Sequence, residues 1–311
     1  MSVKEISYQS FNERDTIKAW RYTPLDPPRA VVQLVHGFGE HSRRYLHMIT
    51  KLQEAGFVVY ADDHLGHGKT AVDNNSGGYP GDKGFISFIE DEKKLRDISA
   101  VDYPELPFIM FGHSWGSMIA RGYAEKYGEG LKGLILCGLA SQMQSCDEMK
   151  DDDTLKKLIE EGHGSEDGTE IVMNLFGDFV ERYENPNGPS DWIACDPRVV
   201  ADHAGDPFNN LGASNQLMYD LVELYKSIER EEWPEKLPKQ LPVYIIAGDQ
   251  DPCGNYGEGP YRLANALYRS GNKNVKVRLY PGYRHEIHNE PPIRDEVEQG
   301  IVGFINAVLM S

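Results

Sequence analysis

The sequence lacks any long apolar run. No stretch approaches the ~18 consecutive apolar residues that a membrane span requires, and residues 1–8 contain no apolar signal core. Cysteine is also scarce. The four cysteines, Cys137, Cys146, Cys195 and Cys253, show no C-x-x-C spacing, which favours free thiols over disulfides or a zinc site. These absences predict a soluble, cytoplasmic protein without stable membrane association.

Basic residues are few relative to acidic ones. The 311 residues include 32 Lys and Arg against 49 Asp and Glu, a formal net charge of −17. Nucleic-acid binding requires a basic surface, so the composition excludes it as a main function. Segment 145–170 alone carries ten acidic residues against three lysines. An anionic lipid surface would repel that segment, so we expect a small, dispersed molecule as the partner. The composition leaves the oligomeric state open.

Short apolar strands alternate with helical patterns as far as about residue 140. Strands are predicted at Glu5–Phe11, Thr16–Tyr22, Ala30–Val35, Phe57–Ala61, Pro107–Phe111 and Leu131–Cys137, and helices at Arg44–Ala55, Phe88–Ile98 and Ser117–Tyr127. Continuous apolar strands such as Ala30–Val35 are typical of a parallel sheet that is buried on both faces. The alternation therefore predicts an α/β fold with a mostly parallel central sheet flanked by helices.

The alternation stops between residues 141 and 240. This segment contains no clear buried strand, and its apolar spacing indicates amphipathic helices. Strand patterns resume at Val243–Ala247 and Val275–Tyr280, and an amphipathic helix ends the chain. We therefore predict an α/β core formed by residues 1–140 and 241–311, with residues 141–240 inserted as a helical cap before the late strands.

The pentapeptide Gly112–Gly116 has the pattern G-x-S-x-G, with Ser114 at its centre. It lies between a predicted buried strand and a predicted helix. A serine on such a sharp turn adopts a strained backbone, and only glycine neighbours leave room for it. The pattern therefore predicts a nucleophilic serine exposed at the carboxyl edge of the sheet.

A serine nucleophile needs a base and a carboxylate that orients the base. In this arrangement the chain order is serine, acid, histidine, and the last two follow late strands. His285 follows the strand at Val275–Tyr280 and is the predicted base, whereas His288 lies three residues further on, at an expected helix start. Asp251 and Asp249 both follow the preceding strand. We favour Asp251 as the acid because it lies further into the loop, and expect Asp249 to bind turn backbone.

The loop after Ala30–Val35 is predicted to supply part of an oxyanion hole. Two backbone N–H donors are needed, one from the residue after the nucleophile and one from this early loop. The predicted donors are the N–H groups of Trp115 and Phe38. We expect His36 to brace the loop. For Glu40 and His41 the sequence leaves bracing and substrate contact equally open.

Taken together, the motifs resemble those of the α/β-hydrolases grouped as monoacylglycerol lipases, lysophospholipases and serine-aminopeptidase-like hydrolases. The resemblance rests on His36–His41, Asp63–Gly68, Gly112–Gly116, Asp251 and Arg284–Glu286, which occur in one order along nearly the whole chain. It implies catalysis by Ser114, Asp251 and His285, with Glu286 as a structural brace.

The resemblance implies hydrolysis of small carboxylic esters through an acyl-enzyme, without a cofactor or metal. An aminopeptidase of the same fold and a non-catalytic ligand-binding protein are the alternatives. Segment Asp191–Pro207 is similar to the cap of bacterial lysophospholipase-like members. Trp115 departs from the methionine that is common in the family, and its ring is expected to narrow the mouth of the acyl pocket.

Overall fold

The computed structural model describes residues 1–311 and contains one eight-stranded sheet. Its strands are β1 (Ser2–Gln9), β2 (Thr16–Thr23), β3 (Ala30–Val35), β4 (Phe57–Asp63), β5 (Phe108–His113), β6 (Gly133–Cys137), β7 (Val243–Gly248) and β8 (Val275–Tyr280). They are arranged in the order β1-β2-β4-β3-β5-β6-β7-β8. Strand β2 is antiparallel to β1 and β4, and every other neighbouring pair is parallel.

The parallel register brings three strand ends to one edge of the sheet. Val35 at the end of β3 lies opposite Gly112 of β5, and His113 lies opposite Cys137 at the end of β6. Side chains that follow these strands therefore gather at this edge. Ligands of open α/β sheets bind at the carboxyl ends of the strands.

Helices cover both faces of the sheet. In the segments around the sheet they are α1 (Leu46–Glu54), α2 (Gly68–Asn74), α3 (Ile86–Asp102) and α4 (Trp115–Tyr127), and α11 (Glu258–Arg269) and α12 (Arg294–Met310) near the end of the chain. Every residue of β3 to β7 is buried, as expected for strands covered on both faces. The predicted α/β fold class is confirmed.

The chain between β6 and β7 is helical. It contains α5 (Gln144–Met149), α6 (Thr154–Glu160), α7 (Thr169–Phe176), α8 (Pro197–Gly205), α9 (Asn215–Ile228) and α10 (Trp233–Lys236). The segment forms no strand and has one isolated β-bridge, between Asp167 and Ser214. We refer to residues 141–240 as the cap segment. Its division from the core at these boundaries stays a prediction.

One helix was not predicted, and one local prediction was wrong. The glycine-rich run Asp63–Gly68 is followed by helix α2, which the sequence pattern did not indicate. The residue before the helix, His67, makes no side-chain cap, and the Asp63 carboxylate at the end of β4 instead accepts a 2.7 Å hydrogen bond from the Lys69 N–H. His288 does not begin a helix either. It lies in a turn, and α12 begins only at Arg294.

Candidate active site

Ser114 occupies a strained turn between β5 and α4. Its φ of +56° lies in the left-handed region that residues with side chains seldom adopt. Both flanking positions must be glycine because the backbone leaves no room there for a Cβ atom. A Cβ on Gly112 would lie 2.4 Å from the Gly116 carbonyl oxygen, and a Cβ on Gly116 would lie 2.2 Å from that of Val35. The sharp strand-to-helix turn predicted from the sequence is therefore present.

His285 and Asp251 form a buried pair. Both Asp251 carboxylate oxygens approach His285 Nδ1, at 2.9 and 3.0 Å, and neither side chain is more than 3% exposed. Burial disfavours the imidazolium, but the Asp251 carboxylate outweighs it and raises the pKa of His285 well above its usual value. The contact fixes the proton of neutral His285 on Nδ1 and leaves Nε2 as the basic nitrogen.

The competing residues lie elsewhere. Asp249 accepts a 2.7 Å hydrogen bond from the Gly282 N–H, which is the turn-binding role expected for it. His288 is fully buried, stacks on the Tyr45 ring with centroids 4.8 Å apart, and does not line the cavity described below. Burial and the neighbouring His113 lower the pKa of His288 well below its usual value.

The loop His36–His41, called here the β3 loop, presents a free backbone donor. The Phe38 N–H donates to no protein acceptor, whereas the Gly37 N–H before it donates to Glu40 Oε1 at 2.7 Å. Trp115 is the first residue of α4, so its N–H has no acceptor within the helix. Both N–H groups belong to segments at the edge of the sheet where Ser114 lies.

His36 braces this loop, as expected. Its Nε2 accepts a 3.0 Å hydrogen bond from the His64 N–H, and the two imidazole rings stack with centroids 3.8 Å apart. Glu40 and His41 are braces as well. Glu40 binds the Gly37 N–H, and His41 Nε2 lies 3.1 Å from the Asp206 carboxylate of the cap segment.

A buried ion network behind the β3 loop was not predicted. The Arg44 guanidinium, 4% exposed, contacts the carboxylates of both Glu40 and Glu286 at 2.7 Å. Burial opposes ionisation of Glu286, but the attraction of the Arg44 guanidinium is stronger and lowers the pKa of Glu286 to about 2. Glu286 is therefore the brace that the sequence indicated. Its partner Arg44 lies 242 positions away at a predicted helix start, so the sequence pattern does not indicate the pair.

Ser114 and His285 line one cavity of about 220 Å³ beneath the cap segment. The cap covers it with Val172, Met173, Phe176 and Trp192, together with the polar residues Ser190 and His203. The Phe176 ring stacks between two others, with centroids 5.7 Å from Phe38 and 5.8 Å from Trp192. The cavity is therefore apolar above the serine, with a few polar groups at its wall, as is usual in small-molecule sites.

No hydrogen bond joins the Ser114 hydroxyl to His285 in this structure, and such contacts often tighten only when substrate binds.

Trp115 does not narrow the pocket mouth, so that prediction was wrong. Its side chain is 2% exposed and packs beneath the serine, with its ring 4.7 Å from Phe88 and 5.1 Å from His67 between centroids. Trp115 is the first residue of α4, and its side chain packs in the buried hydrophobic core. Trp115 is absent from the lining of the cavity, which includes several cap residues.

The loop that carries His285 is hydrogen-bonded to the cap segment. The N–H groups of His285 and Glu286 donate to the carbonyl oxygens of Trp192 and Ile193, at 3.4 and 2.7 Å. Arg284 Nη1 donates to the Asp191 carbonyl oxygen at 2.6 Å. The short 3₁₀ turn Asp191–Ile193 is thereby joined to the His285 loop.

Cys253 lies beside the Asp251–His285 pair and is buried. Burial raises the pKa of its thiol to about 11, so the thiol is protonated near neutral pH. The Asp251 side chain also accepts from the Cys253 N–H at 2.9 Å, which fixes the acid. Cys253 is therefore a free, buried thiol, as the cysteine spacing predicted.

Comparisons with known proteins agree on one family. Residues 26–292 match the family described as "Serine aminopeptidase, S33". The chain is 33% identical to the human monoglyceride lipase over 298 residues, which are 92% of this chain and 84% of that protein. It is 29% identical to a monoacylglycerol lipase of Mycolicibacterium smegmatis over 288 residues, 91% and 92% of the two chains.

Solved structures give the same result. A thermostable carboxyl esterase from Bacillus coagulans, crystallised with glycerol, is 54% identical with a TM-score of 0.96, and 99% of each chain is covered. A structure described as a lipase in its open form is 41% identical with a TM-score of 0.94, again over 99% of each chain. No helix of the chain has the length and apolar character needed to cross a membrane.

Proposed function

The chain belongs to the serine aminopeptidase S33 family of α/β-hydrolases and is a carboxylic ester hydrolase, and from this we propose that it works through a Ser114 acyl-enzyme. In the proposal, Ser114 is the nucleophile, His285 the general base and Asp251 the acid that orients it. One observation carries the assignment. The only serine in a strained strand-to-helix turn lines the same cavity as the imidazole that Asp251 holds.

The proposed reaction has two halves. His285 Nε2 takes the Ser114 hydroxyl proton as the oxygen attacks the ester carbonyl, and returns it to the departing alcohol when the tetrahedral intermediate collapses. Water then attacks the acyl-enzyme with the same base, releasing the carboxylic acid and restoring Ser114. The N–H groups of Phe38 and Trp115 stabilise the oxyanion in both halves. Loss of one such donor typically costs on the order of 10²–10³ in rate.

We propose small acyl esters, such as monoacylglycerols or lysophospholipids, as the substrate class. The apolar cap side chains Phe176 and Trp192 suit an acyl chain, and Ser190 and His203 offer hydrogen bonds to the alcohol part. A cavity of about 220 Å³ favours chains of short to medium length. The names of the relatives, monoacylglycerol lipase and monoglyceride lipase, support this class.

The electrostatics of the cavity favour an ester over a peptide. An aminopeptidase needs a carboxylate that is free to bind the α-amine of its substrate. The two carboxylates that line this cavity, Glu40 and Glu286, are both paired with Arg44. Neither is therefore available as a counter-charge for a substrate amine.

Labelling with a fluorophosphonate probe tests the serine mechanism. Wild-type protein should be labelled at Ser114 and should hydrolyse p-nitrophenyl esters much faster than a prolyl arylamide. The Ser114→Ala variant should lose both labelling and turnover, whereas Ser190→Ala, which removes another hydroxyl from the same cavity, should still be labelled. Full labelling of Ser114→Ala would show that another residue is the nucleophile.

We also propose that the enzyme acts in the cytoplasm on dispersed substrate. The run Asp151–Asp153 is exposed on the cap segment, and segment 145–170 has seven more acidic than basic residues, which an anionic bilayer would repel. Sedimentation with liposomes containing anionic lipid should leave the protein in the supernatant. Tight binding to the vesicles, or a sharp rise in activity when substrate forms an interface, would contradict the proposal.

A further inference from the structure

A second cluster of titratable side chains, two carboxylates and an imidazole, lies in the core behind the β3 loop. Asp62 at the end of β4, His64 in the following loop and Glu92 on α3 converge there, and none is more than 3% exposed. His64 Nδ1 lies 3.4 Å from Asp62 Oδ1 and 3.4 Å from Glu92 Oε1. The proposed ester hydrolysis uses none of these three residues.

The tautomer of a neutral His64 follows from its other nitrogen. Nε2 lies 3.2 Å from the carbonyl oxygen of His36. A carbonyl oxygen only accepts, so Nε2 carries a hydrogen and, in the neutral imidazole, Nδ1 carries a lone pair. That lone pair faces two carboxylate oxygens, Asp62 Oδ1 and Glu92 Oε1, and neither oxygen has a hydrogen-bond partner.

Three electron-rich atoms therefore meet in a buried space. Such an arrangement is unfavourable unless a proton or a metal cation lies between them. No lysine or arginine forms an ion pair with Asp62 or Glu92. Their outer oxygens face neutral polar groups, since the Tyr8 hydroxyl lies 3.2 Å from Asp62 Oδ2 and the Gln33 amide donates to Glu92 Oε2.

We propose that Asp62, His64 and Glu92 bind a divalent transition-metal ion, with zinc as the best fit. Two ligands about 2.1 Å from a tetrahedral ion are separated by about 3.4 Å, which is the spacing of both carboxylate oxygens from His64 Nδ1. One imidazole nitrogen with two carboxylate oxygens is a donor set that zinc and manganese accept. The hydrogen bond from His64 Nε2 to a backbone carbonyl is the usual outer contact of a metal-binding histidine.

The role of the ion is structural. The three ligands are enclosed in the core, so a substrate has no route to the ion. The ion joins β4, the following loop and α3. It also fixes His64, which stacks on His36 and contacts the carbonyl of that residue. The metal would thus support the β3 loop from behind without taking part in ester hydrolysis.

Metal content and thermal unfolding of the whole protein test the proposal. Wild-type protein stripped with a strong chelator should take up about one equivalent of Zn²⁺ per chain. The ion should raise its unfolding midpoint by roughly 5 °C at a free concentration about 100 times the dissociation constant. Stripped wild-type protein that binds no Zn²⁺ or Mn²⁺ and unfolds at an unchanged temperature would overturn the proposal. In that case protons alone neutralise the cluster.

Variants locate the ion. Glu92→Gln should lose the uptake and the thermal shift. Asp220→Asn is the matched control, because Asp220 is another buried acid with an unpartnered oxygen, but it lies on α9 away from the cluster. Cys253→Ser removes a ligand from the Asp251–Cys253–His285 group, the other possible site. Uptake that survives in Glu92→Gln and is lost in Cys253→Ser would overturn the assignment, and fluorophosphonate labelling of Ser114 confirms that each variant is folded.

Discussion

Arg44 and Glu286 form a two-point ion pair, with Nη1–Oε1 at 2.7 Å and Nη2–Oε2 at 2.9 Å. Glu286 immediately follows His285, and the same guanidinium contacts Glu40 of the β3 loop. One buried cation therefore connects the segment that carries the proposed base with the segment that carries a proposed oxyanion donor. Charges buried in this way are retained only where each has its partner.

Removing this cation should destabilise the protein. We expect Arg44→Met to lower the free energy of unfolding by about 3–5 kcal/mol, because two buried carboxylates lose their counter-charge. Denaturant titration measures the loss. The control is Arg198→Met, since the Arg198–Asp196 pair lies on the surface and the Arg198 side chain is 82% exposed; water screens this pair, so its loss should leave the free energy of unfolding nearly unchanged. Equal stability of the two variants would contradict the proposed importance of the network.

The raised pKa of His285 predicts the acid side of the pH profile. The base works only when neutral, so kcat/KM should rise with pH as His285 loses its proton, at a pH above the usual value of about 6.5. In Asp251→Asn this rise should move to lower pH because the charge that raises the pKa is gone, and kcat should fall by about 10⁴.

Asp249→Asn provides the control for this profile. Asp249 precedes the same loop but binds the Gly282 N–H rather than the imidazole. Its replacement should leave the pH of the rise unchanged. A profile of Asp251→Asn that coincides with that of the wild-type enzyme would show that Asp251 does not set the pKa of the base.

The glycine after Trp115 should not tolerate a side chain. In Gly116→Ala the new Cβ would lie 2.2 and 2.4 Å from the carbonyl oxygens of Val35 and His36, which are backbone atoms and cannot rotate away. We expect a lower unfolding temperature and loss of ester hydrolysis, because β3 and the Ser114 turn must separate. Gly303→Ala is the control: a Cβ there meets no atom within 4 Å, and alanine favours the helix by about 1 kcal/mol.

Phe176 should limit the length of the acyl chain. Its ring fills the cavity roof between Phe38 and Trp192, so Phe176→Ala should enlarge the cavity and shift the preference toward longer p-nitrophenyl esters. Each added methylene that finds new contacts is worth roughly 1 kcal/mol, or about fivefold in kcat/KM. Ile171→Ala shortens a neighbouring α7 side chain that does not line the cavity, and should leave the preference unchanged. The same preference in both variants would exclude Phe176 as the limit.

The features that the sequence predicted correctly are those that a few neighbouring residues determine. The strand at Ala30–Val35 and the glycines around Ser114 follow from burial and steric limits within a few residues, and the structure agrees with both. The order of the late strands was enough to select Asp251 and His285 as a pair. These features depend on periodicity and on turns, which a sequence displays directly.

Most features that the sequence did not reveal depend on how separate elements pack. Arg44 and Glu286 are 242 positions apart, so no spacing rule joins them. The start of α2 is held by the carboxylate of Asp63, five positions before the helix, and not by its N-cap residue His67. The direction of the Trp115 side chain was set by the rotation of α4, which places the ring against Phe88. Each requires the tertiary arrangement before it can be derived.

The joint between the His285 loop and the turn Asp191–Ile193 limits how this enzyme can be re-engineered. Donors on Arg284, His285 and Glu286 are satisfied by carbonyl groups of that turn. A chimera that imports a foreign cap at both ends of the 141–240 segment would break these bonds beside the imidazole. Exchanging only the stretch before Asp191, which includes α7, would retain them. The smaller graft is therefore the one compatible with an intact histidine.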